Sequence, residues 1–365
     1  MKVLIAPNAF KGTISASDAA EIIRQTVANK YPNSQVKKIP IADGGDGTCE
    51  LLTEYLEIEK ISAWSLDPFG RPAFGSFGYD FQSKTIYLDV STVSGIGLLD
   101  SSELNPRVAS TFGTGELIQK GVEMGAEHVI LGLGGSASID LGLGILQALG
   151  FVFLDSLGKE IVPFSDHLLK KLAYVQSNPK LSKLTFTCLC DVRNTFFGAT
   201  GAIPIFGPQK GLSSDQMDSF SEDANRIIQL LYQKAKKPFE DCTGFGAAGG
   251  IALGLNAFFS TEIKFGASYF FDQVAMEKEV QSSDVVLTGE GRFDQQSKEG
   301  KGCFELLQIC KKYQKPCYLI TSGNDGQGFG FESVMKLPEL DFSQIDYKKK
   351  AAENLKLTLE KKLTI

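Results

Sequence analysis

The chain has 365 residues, of which 43% are hydrophobic and 22% are charged, and its formal net charge at pH 7 is -6. This length predicts two domains, and the composition is typical of a globular protein. Acidic and basic residues are interspersed, which excludes the basic surface that nucleic-acid binding requires. No apolar run approaches the roughly 20 residues of a membrane-spanning helix. The seven cysteines are scattered and odd in number, which favours reduced thiols and a cytoplasmic location.

Strands and helices alternate at the start of the chain. A continuous apolar run predicts a buried parallel strand over residues 2–6 rather than a signal peptide. Ser15 or Ser17 can cap a helix over residues 18–30, and a second strand over residues 36–41 leads through a glycine-rich loop into another helix. This β-α-β-α order is typical of a domain with a parallel sheet.

The pattern changes in the middle of the chain and later returns. Short β runs separated by turns predict antiparallel hairpins over residues 61–90, and strand–helix alternation resumes near residue 276. We therefore predict an α/β protein with two α/β domains. Residues 1–65 and 276–365 form a discontinuous Rossmann/flavodoxin-like domain with a parallel sheet, and residues 66–275 form an inserted mixed α/β domain.

Four polar loops of the discontinuous domain directly follow predicted strands, at residues 8–12, 43–48, 288–294 and 321–325. In an open parallel sheet, the carboxyl ends of the strands meet at one edge, and ligands bind there. The sequence therefore predicts that these four loops lie together.

A glycine-rich stretch over residues 132–140 separates a predicted strand at 129–131 from a predicted helix at 141–149. Such a turn directs backbone N–H groups and the positive end of a helix at an anion, here a phosphate. A phosphate loop of a kinase is one interpretation, and glycines that serve tight packing alone are another.

A third interpretation of this stretch is a dinucleotide fingerprint. Gly132, Gly134 and Ala137 match G-x-G-x-x-A, and Asp155 ends the next predicted strand. This spacing is typical of an NAD(P)-dependent oxidoreductase.

Glycine-rich loops with an adjoining charge recur at residues 43–48, 206–211, 244–250 and 289–294. Five such loops favour a polyanion held between two domains over packing alone. A true P-loop is absent, because the nearest string, residues 299–302, lacks the leading glycine and the Ser/Thr.

Phosphoryl transfer needs carboxylates for Mg²⁺ and for the proton of the attacking hydroxyl, and cations for the phosphates. Carboxylates and cations that lie in candidate loops are Asp43, Asp46, Asp140, Asp191, Glu290, Asp294, Lys11, Lys210 and Arg292. Helix caps and solvated lysines remain the alternative for any one of them. The only two histidines, His128 and His167, lie outside these loops, which favours a carboxylate or a lysine as general base.

Together the motifs resemble those of bacterial-type glycerate kinases over nearly the full chain. They lie at residues 6–12, 42–48, 113–118, 134–137, 206–211, 246–250 and 288–292. The resemblance implies two α/β domains with the site between them, ATP and Mg²⁺, and D-glycerate as the phosphoryl acceptor. The sequence departs from the family pattern at Asn8-Ala9, where Asp-Ser is expected, and at Ile139, where Asn is expected.

The resulting hypothesis is in-line phosphoryl transfer in an interdomain cleft. The catalytic candidates are Asp43 and Asp191, either of which accepts the hydroxyl proton, and Lys11 and Arg292, which hold the glycerate carboxylate or the transferring phosphoryl group. The cofactor-binding candidates are Gly134, Gly135, Ser136, Ala137, Ser138, Lys210, Gly289 and Glu290. The metal candidates are Asp46, Asp140 and Asp294.

Alternative functions are the oxidoreductase, a kinase of another small hydroxy acid, and a nucleotide-binding protein without catalysis. The sequence leaves open whether 2- or 3-phosphoglycerate is the product. It also leaves open the oligomeric state, for which a homodimer is one candidate.

Overall fold

The computed structural model describes residues 1–294, 301–323 and 326–365. These residues divide into two units: the first combines Met1–Asp43 with Gly266–Ile365, and the second is Gly44–Phe265. The chain leaves the first unit after Asp43 and returns to it at Gly266.

The described residues form thirteen strands: β1 (Lys2–Ile5), β2 (Gln35–Lys38), β3 (Glu59–Leu66), β4 (Pro72–Asp80), β5 (Thr85–Asp89), β6 (His128–Gly132), β7 (Val152–Leu154), β8 (Tyr174–Gln176), β9 (Thr185–Cys190), β10 (Ser260–Phe265), β11 (Val285–Glu290), β12 (Cys317–Thr321) and β13 (Ser333–Lys336).

The α-helices of the same residues are α1 (Ala16–Lys30), α2 (Thr48–Tyr55), α3 (Ser91–Ser94), α4 (Phe112–Glu123), α5 (Leu143–Ala148), α6 (Leu168–Lys171), α7 (Ala202–Phe206), α8 (Met217–Ala235), α9 (Ile251–Phe258), α10 (Gly266–Gln273), α11 (Met276–Ser282), α12 (Gly302–Lys312) and α13 (Tyr347–Lys362).

The first unit is built on a parallel sheet with the strand order β13-β12-β11-β1-β2. Numbered within this sheet, the order is 2-1-3-4-5, which is the flavodoxin-like arrangement. Strand order reverses between β1 and β11, so the loops after these two strands border the crevice where such sheets bind ligands. The predicted α/β fold with a flavodoxin-like parallel sheet is confirmed.

Apolar periodicity explains how the helices of the first unit pack. Ser15 caps α1 by accepting a hydrogen bond of 3.0 Å from the Asp18 N–H, and Ile23 and Val27 on the buried face of α1 join a core with Leu355 of α13. β11 is buried along its whole length, as expected for a central parallel strand.

The second unit is built on a mixed sheet with the strand order β10-β9-β6-β5-β4-β3. The pairs among β10, β9, β6 and β5 are parallel, whereas β5–β4 and β4–β3 are antiparallel hairpins, as the sequence predicts for residues 61–90. β7 and β8 form a separate antiparallel pair.

Both unit boundaries differ from the predicted division. Residues 44–65 belong to the second unit, because β3 pairs with β4 from Glu59 to Leu66 and α2 packs against β4 and β5. Residues 266–275 belong to the first unit, where α10 packs against α11 and α12.

None of the helices in the described part of the chain has the length and the apolar composition needed to cross a membrane.

Candidate active site

A polar pocket of about 660 Å³ lies at the carboxyl ends of β1 and β11 in the first unit. Its lining includes Asn8, Lys11, Asp43, Glu290, Arg292, Asp294, Lys301 and Ser322. The structure therefore brings together residues from all four strand-end loops that the sequence singled out. Asn324 and Asp325, at the end of the fourth loop, lie outside the described residues.

Asn8 is the centre of a hydrogen-bond network in this pocket. Its N–H donates to the Gly289 carbonyl at 2.8 Å, and its Oδ1 accepts from the Ala9 N–H at 2.7 Å. Its Nδ2 donates to Asp43 Oδ2 at 2.8 Å. Both side chains are buried, with exposed fractions of 7% for Asn8 and 4% for Asp43. The network fixes the direction of the Asp43 carboxylate, and it gives Gly289 a structural contact through its carbonyl.

Glu290 ends β11 and has an exposed fraction of only 6%. Its Oε1 atom has no hydrogen-bond partner. Burial raises the pKa of this carboxyl to about 8; the positive charge of Lys301 opposes the shift, while the negative charges of Asp43 and Asp294 add to it. Glu290 therefore retains a proton at a pH where an exposed glutamate has lost it.

Lys301 lines the pocket but belongs to none of the sequence motifs that predict it. It lies at the N-cap of α12, in the string that was considered only as an incomplete P-loop. Its position in the sequence, between a predicted strand and a predicted helix of the first unit, could have identified Lys301 as a candidate. Arg292 and Lys11 are exposed in the same pocket. With Lys301 and Lys336 they make four cations, and the pocket also contains four carboxyl groups, those of Asp43, Glu290, Asp294 and Glu339.

The glycine-rich stretch of the second unit follows β6 and packs against the loop that precedes α2. A Cβ atom on Gly134 would lie 2.4 Å from the Asp46 nitrogen, and one on Gly135 would lie 2.1 Å from Asp46 Oδ1. Backbone atoms therefore leave no room for a side chain at Gly134, and the positive φ of +62° favours glycine at Gly135. Asp46 itself is exposed, beside the half-buried Gly134 and Gly135.

The rest of the stretch lies below the surface. Ser136, Ala137 and Ser138 are buried, and the Ala137 N–H donates to the Ser94 carbonyl at 3.0 Å. The part of the loop that a ligand can reach is accordingly Gly134–Gly135, which is shorter than the predicted phosphate loop.

Lys210 anchors this loop from beneath. Its Nζ donates to Ser136 Oγ at 2.6 Å and to the Ser138 carbonyl at 2.8 Å, and only 4% of the residue is exposed. Burial lowers the pKa of this lysine to about 7, although the nearby Asp140 carboxylate opposes the shift. Lys210 thus supports the loop whose glycines reach the surface.

Asp140 has both carboxylate oxygens occupied by donors of the protein. Oδ2 accepts from Thr111 N and Oγ1, each at 2.8 Å, and from Gly144 N at 3.2 Å. Oδ1 accepts from Ser138 Oγ at 3.3 Å and from Gly142 N at 3.2 Å. This arrangement joins the glycine-rich stretch to the first turns of α4 and α5, and it favours a structural role over metal binding for Asp140.

Asp191 follows β9, the neighbour of β6, and is half-buried. A Cβ atom on Gly44 would lie 2.6 Å from the Cys190 carbonyl carbon, so the loop of Asp46 also touches the end of β9. The structure therefore groups Asp46, Gly134 and Asp191 at one edge of the second sheet.

The dinucleotide fingerprint does not form the unit that its function requires. β6 pairs with β5 and β9, whereas the next strand, β7, pairs only with β8. α5 begins at Leu143, well after the glycines, and Asp155 Oδ1 accepts from Leu157 N and Lys159 N in a hairpin turn. The β-α-β geometry that places a dinucleotide beside an acid is absent from this segment.

The other glycine motifs of the second unit serve close packing. A Cβ atom on Gly113 would lie 1.8 Å from the Leu66 carbonyl oxygen, one on Gly246 would lie 2.3 Å from the Thr195 carbonyl oxygen, and one on Gly249 would lie 2.2 Å from the Ser138 carbonyl oxygen.

Comparison with known proteins supports the resemblance that the sequence motifs indicate. A family model described as the glycerate kinase family matches residues 3–364. The chain belongs to the glycerate kinase family. The resemblance seen in the sequence is thereby confirmed.

Individual members of the glycerate kinase family are similar to this chain in sequence and in structure. A glycerate kinase of Bacillus subtilis (strain 168) is 35% identical, over 87% of this chain and 83% of its own length. A glycerate 2-kinase of Escherichia coli (strain K12) is 34% identical, over 87% and 84%. A solved structure from Salmonella typhimurium LT2, described as a glycerate kinase 2, has a TM-score of 0.82 and 30% identity, and the match covers 99% of this chain and 96% of that one.

The two departures from the glycerate kinase pattern have distinct settings in the structure. Ile139 is 1% exposed and belongs to the apolar core of the second unit, so an apolar residue is suited to that position. Asn8 supplies the amide that holds Asp43.

A kinase family implies a nucleotide substrate, and the carboxylates of the structure can be compared with what a divalent cation of the magnesium type requires. Within the described residues, no group of three His, Cys, Asp or Glu side chains is placed to hold a metal ion. Mg²⁺ commonly uses only one or two carboxylates, with water and phosphate oxygens completing its shell. The exposed Asp46 beside Gly135 can be reached by such an ion, whereas Asp140 is buried and accepts hydrogen bonds at both oxygens.

Proposed function

We propose that this protein transfers a phosphoryl group from ATP to D-glycerate and releases 2- or 3-phosphoglycerate. The observation that carries the proposal is the first-unit pocket, in which the buried Asn8–Asp43 pair lies beside exposed cations. The names of the relatives, glycerate kinase and glycerate 2-kinase, support the choice of acceptor.

The acceptor side of the proposal uses Lys11, Arg292 and Asp43. Glycerate carries a carboxylate, which the exposed Lys11 and Arg292 can pair with. Its attacking hydroxyl must lose a proton, and Asp43, held in place by Asn8, accepts it. Asp191 is the alternative proton acceptor.

The nucleotide side uses the loop of Gly134 and Gly135. Backbone N–H groups at a strand-to-loop turn bind phosphate oxygens without a side chain in the way. Lys210 fixes this loop from below through Ser136. Asp46 would hold the Mg²⁺ that accompanies ATP, and the ion neutralises phosphate charge when it is bound. Asp294 remains a candidate ligand from the first-unit pocket.

The test is a direct assay of the purified protein with ATP, Mg²⁺ and D-glycerate. We expect ADP and a phosphoglycerate, and NMR of the product decides which hydroxyl carries the phosphate. ADP formation with a different hydroxy acid, but not with glycerate, would replace the acceptor. Binding of ATP without turnover of any acceptor would leave only a nucleotide-binding function.

A further inference from the structure

Glu290 Oε1 is a buried acceptor atom for which the protein supplies no donor. Among the buried side-chain nitrogen and oxygen atoms of the described residues, only this atom and Gln147 Oε1 lack a partner. Gln147 keeps one hydrogen bond, from its Nε2 to the Ile161 carbonyl at 2.8 Å, and it does not line the pocket of Glu290. An unsatisfied buried carboxyl oxygen lowers stability, so a site that retains one is suited to a donor that arrives with a ligand.

The surroundings of Glu290 identify the chemistry of that ligand. Glu290 lines the pocket of Asp43, Lys11 and Arg292, at the point where the strand order of the first sheet reverses. One oxygen of Asp43 is already taken by Asn8. The pocket therefore offers cations for a carboxylate and two separate carboxyl groups for hydroxyl donors.

We infer that Glu290 binds the acceptor hydroxyl that is not phosphorylated, and that it selects dihydroxy acids over monohydroxy acids. The inference rests on the proposed function and reassigns Glu290 from the nucleotide to the acceptor. Glycerate has three polar groups: its carboxylate pairs with Lys11 and Arg292, its reacting hydroxyl faces Asp43, and its second hydroxyl donates to Glu290 Oε1. A site built to bind a hydroxyl rejects an analogue that lacks it, because the polar group of the site is then left unpaired.

The test compares the binding of three acids in the absence of ATP, by calorimetry. D-Glycerate carries both hydroxyls, D-lactate lacks the one on C3, and 3-hydroxypropionate lacks the one on C2. We expect the wild-type protein to bind glycerate at least about tenfold more tightly than either analogue, as expected for a hydrogen bond to a carboxyl group.

Glu290→Met is the decisive variant, because methionine fills similar space without a strong acceptor. We expect it to bind glycerate and one of the two analogues equally, while it still discriminates against the other analogue, whose missing hydroxyl is the one facing Asp43. Since the change removes an unsatisfied buried polar atom, the variant should also fold.

Two further variants separate recognition from indirect effects. Glu290→Gln keeps an acceptor oxygen in the same place and should retain both preferences within a few-fold. Glu339 lines the same pocket but is exposed, so Glu339→Gln should bind all three acids as the wild type does.

The outcomes distinguish the inference from the proposed function. If the wild type converts glycerate but Glu290→Met keeps both preferences, the selectivity role of Glu290 is wrong and the kinase stands. If the wild type neither binds nor converts glycerate, the proposed function fails and this inference fails with it.

Discussion

The Asn8 side-chain amide donates to Asp43 Oδ2 at 2.8 Å, and the two residues follow neighbouring strands of the first sheet. This hydrogen bond fixes the direction of the carboxylate. We predict that Asn8→Ala lowers kcat about tenfold, since a hydrogen bond to a charged group contributes roughly 1.5–3 kcal/mol. Steady-state kinetics with glycerate measure this. Asn354 lines the same pocket, and Asn354→Ala should leave kcat unchanged. Equal effects of the two variants would contradict a role for the Asn8–Asp43 bond.

The proton acceptor can be identified with Asp43→Asn and Asp191→Asn. An amide cannot accept the hydroxyl proton, so the true base should lose about 100-fold or more in kcat while the protein stays folded. Exposed aspartates in each unit, Asp272 and Asp215, provide matched controls for the same substitution. Circular dichroism checks the fold. If Asp43→Asn or Asp191→Asn retains the wild-type kcat, that residue is not the base.

Gly134→Ala should destabilise the second unit. The added Cβ would lie 2.4 Å from the Asp46 nitrogen and from the Gly45 carbonyl carbon, where only backbone can give way. We expect a loss of about 1–3 kcal/mol in the free energy of unfolding, as for other overpacked sites. Gly97 is exposed and has open space around it, so Gly97→Ala is the control. Urea unfolding that is equal for the two variants would show that the loop has room to move.

Local pattern was sufficient to predict the pocket of the first unit. Asn8 and Asp43 follow strands of a parallel sheet and Glu290 ends one, and parallel strands bring their carboxyl ends to one edge irrespective of the distance in sequence. The α/β fold class followed from the same alternation of strands and helices. Lys301 was not predicted, because residues 299–302 resemble only an incomplete P-loop.

Contacts in the second unit depend on tertiary packing and could not be predicted. Asp140 is bound by Thr111, and Lys210 is buried against Ser136, through pairs that lie 29 and 74 residues apart. The sequence does not show whether a charged residue in a loop has such a distant hydrogen-bond partner. The assignment of residues 44–55 to the second unit depends in the same way on the packing of α2 against β4 and β5.

Lys210 should make the stability of the protein rise with pH. Its pKa of about 7 lies below the ordinary value of 10.5, because burial disfavours the charged amine. Between these values the unfolded chain holds more protons than the folded one, so the free energy of unfolding increases with pH by at most about 1.4 kcal/mol per unit. Lys210→Met lacks this contribution. Urea unfolding of both proteins at pH 7, 8 and 9 measures the difference, and parallel pH profiles would contradict a buried, neutralised lysine.

Glu290 should make the stability of the protein fall as the pH rises, over a lower pH range than the rise that Lys210 causes. Its pKa of about 8 lies above the ordinary value of 4.5, chiefly because of burial. The folded protein therefore holds more protons than the unfolded chain between these values. The resulting stabilisation is complete below pH 4.5 and is lost as the pH rises through about 8, by at most about 1.4 kcal/mol per unit. Glu290→Met should remove this fall, so that the variant gains stability relative to the wild type from pH 5 to pH 8.

Urea unfolding at these two pH values is the measurement, with Glu339→Gln as the control from the same pocket. A constant difference between wild type and Glu290→Met would mean that Glu290 is ionised throughout, and that its unpaired oxygen belongs to a carboxylate that Lys301 stabilises despite burial.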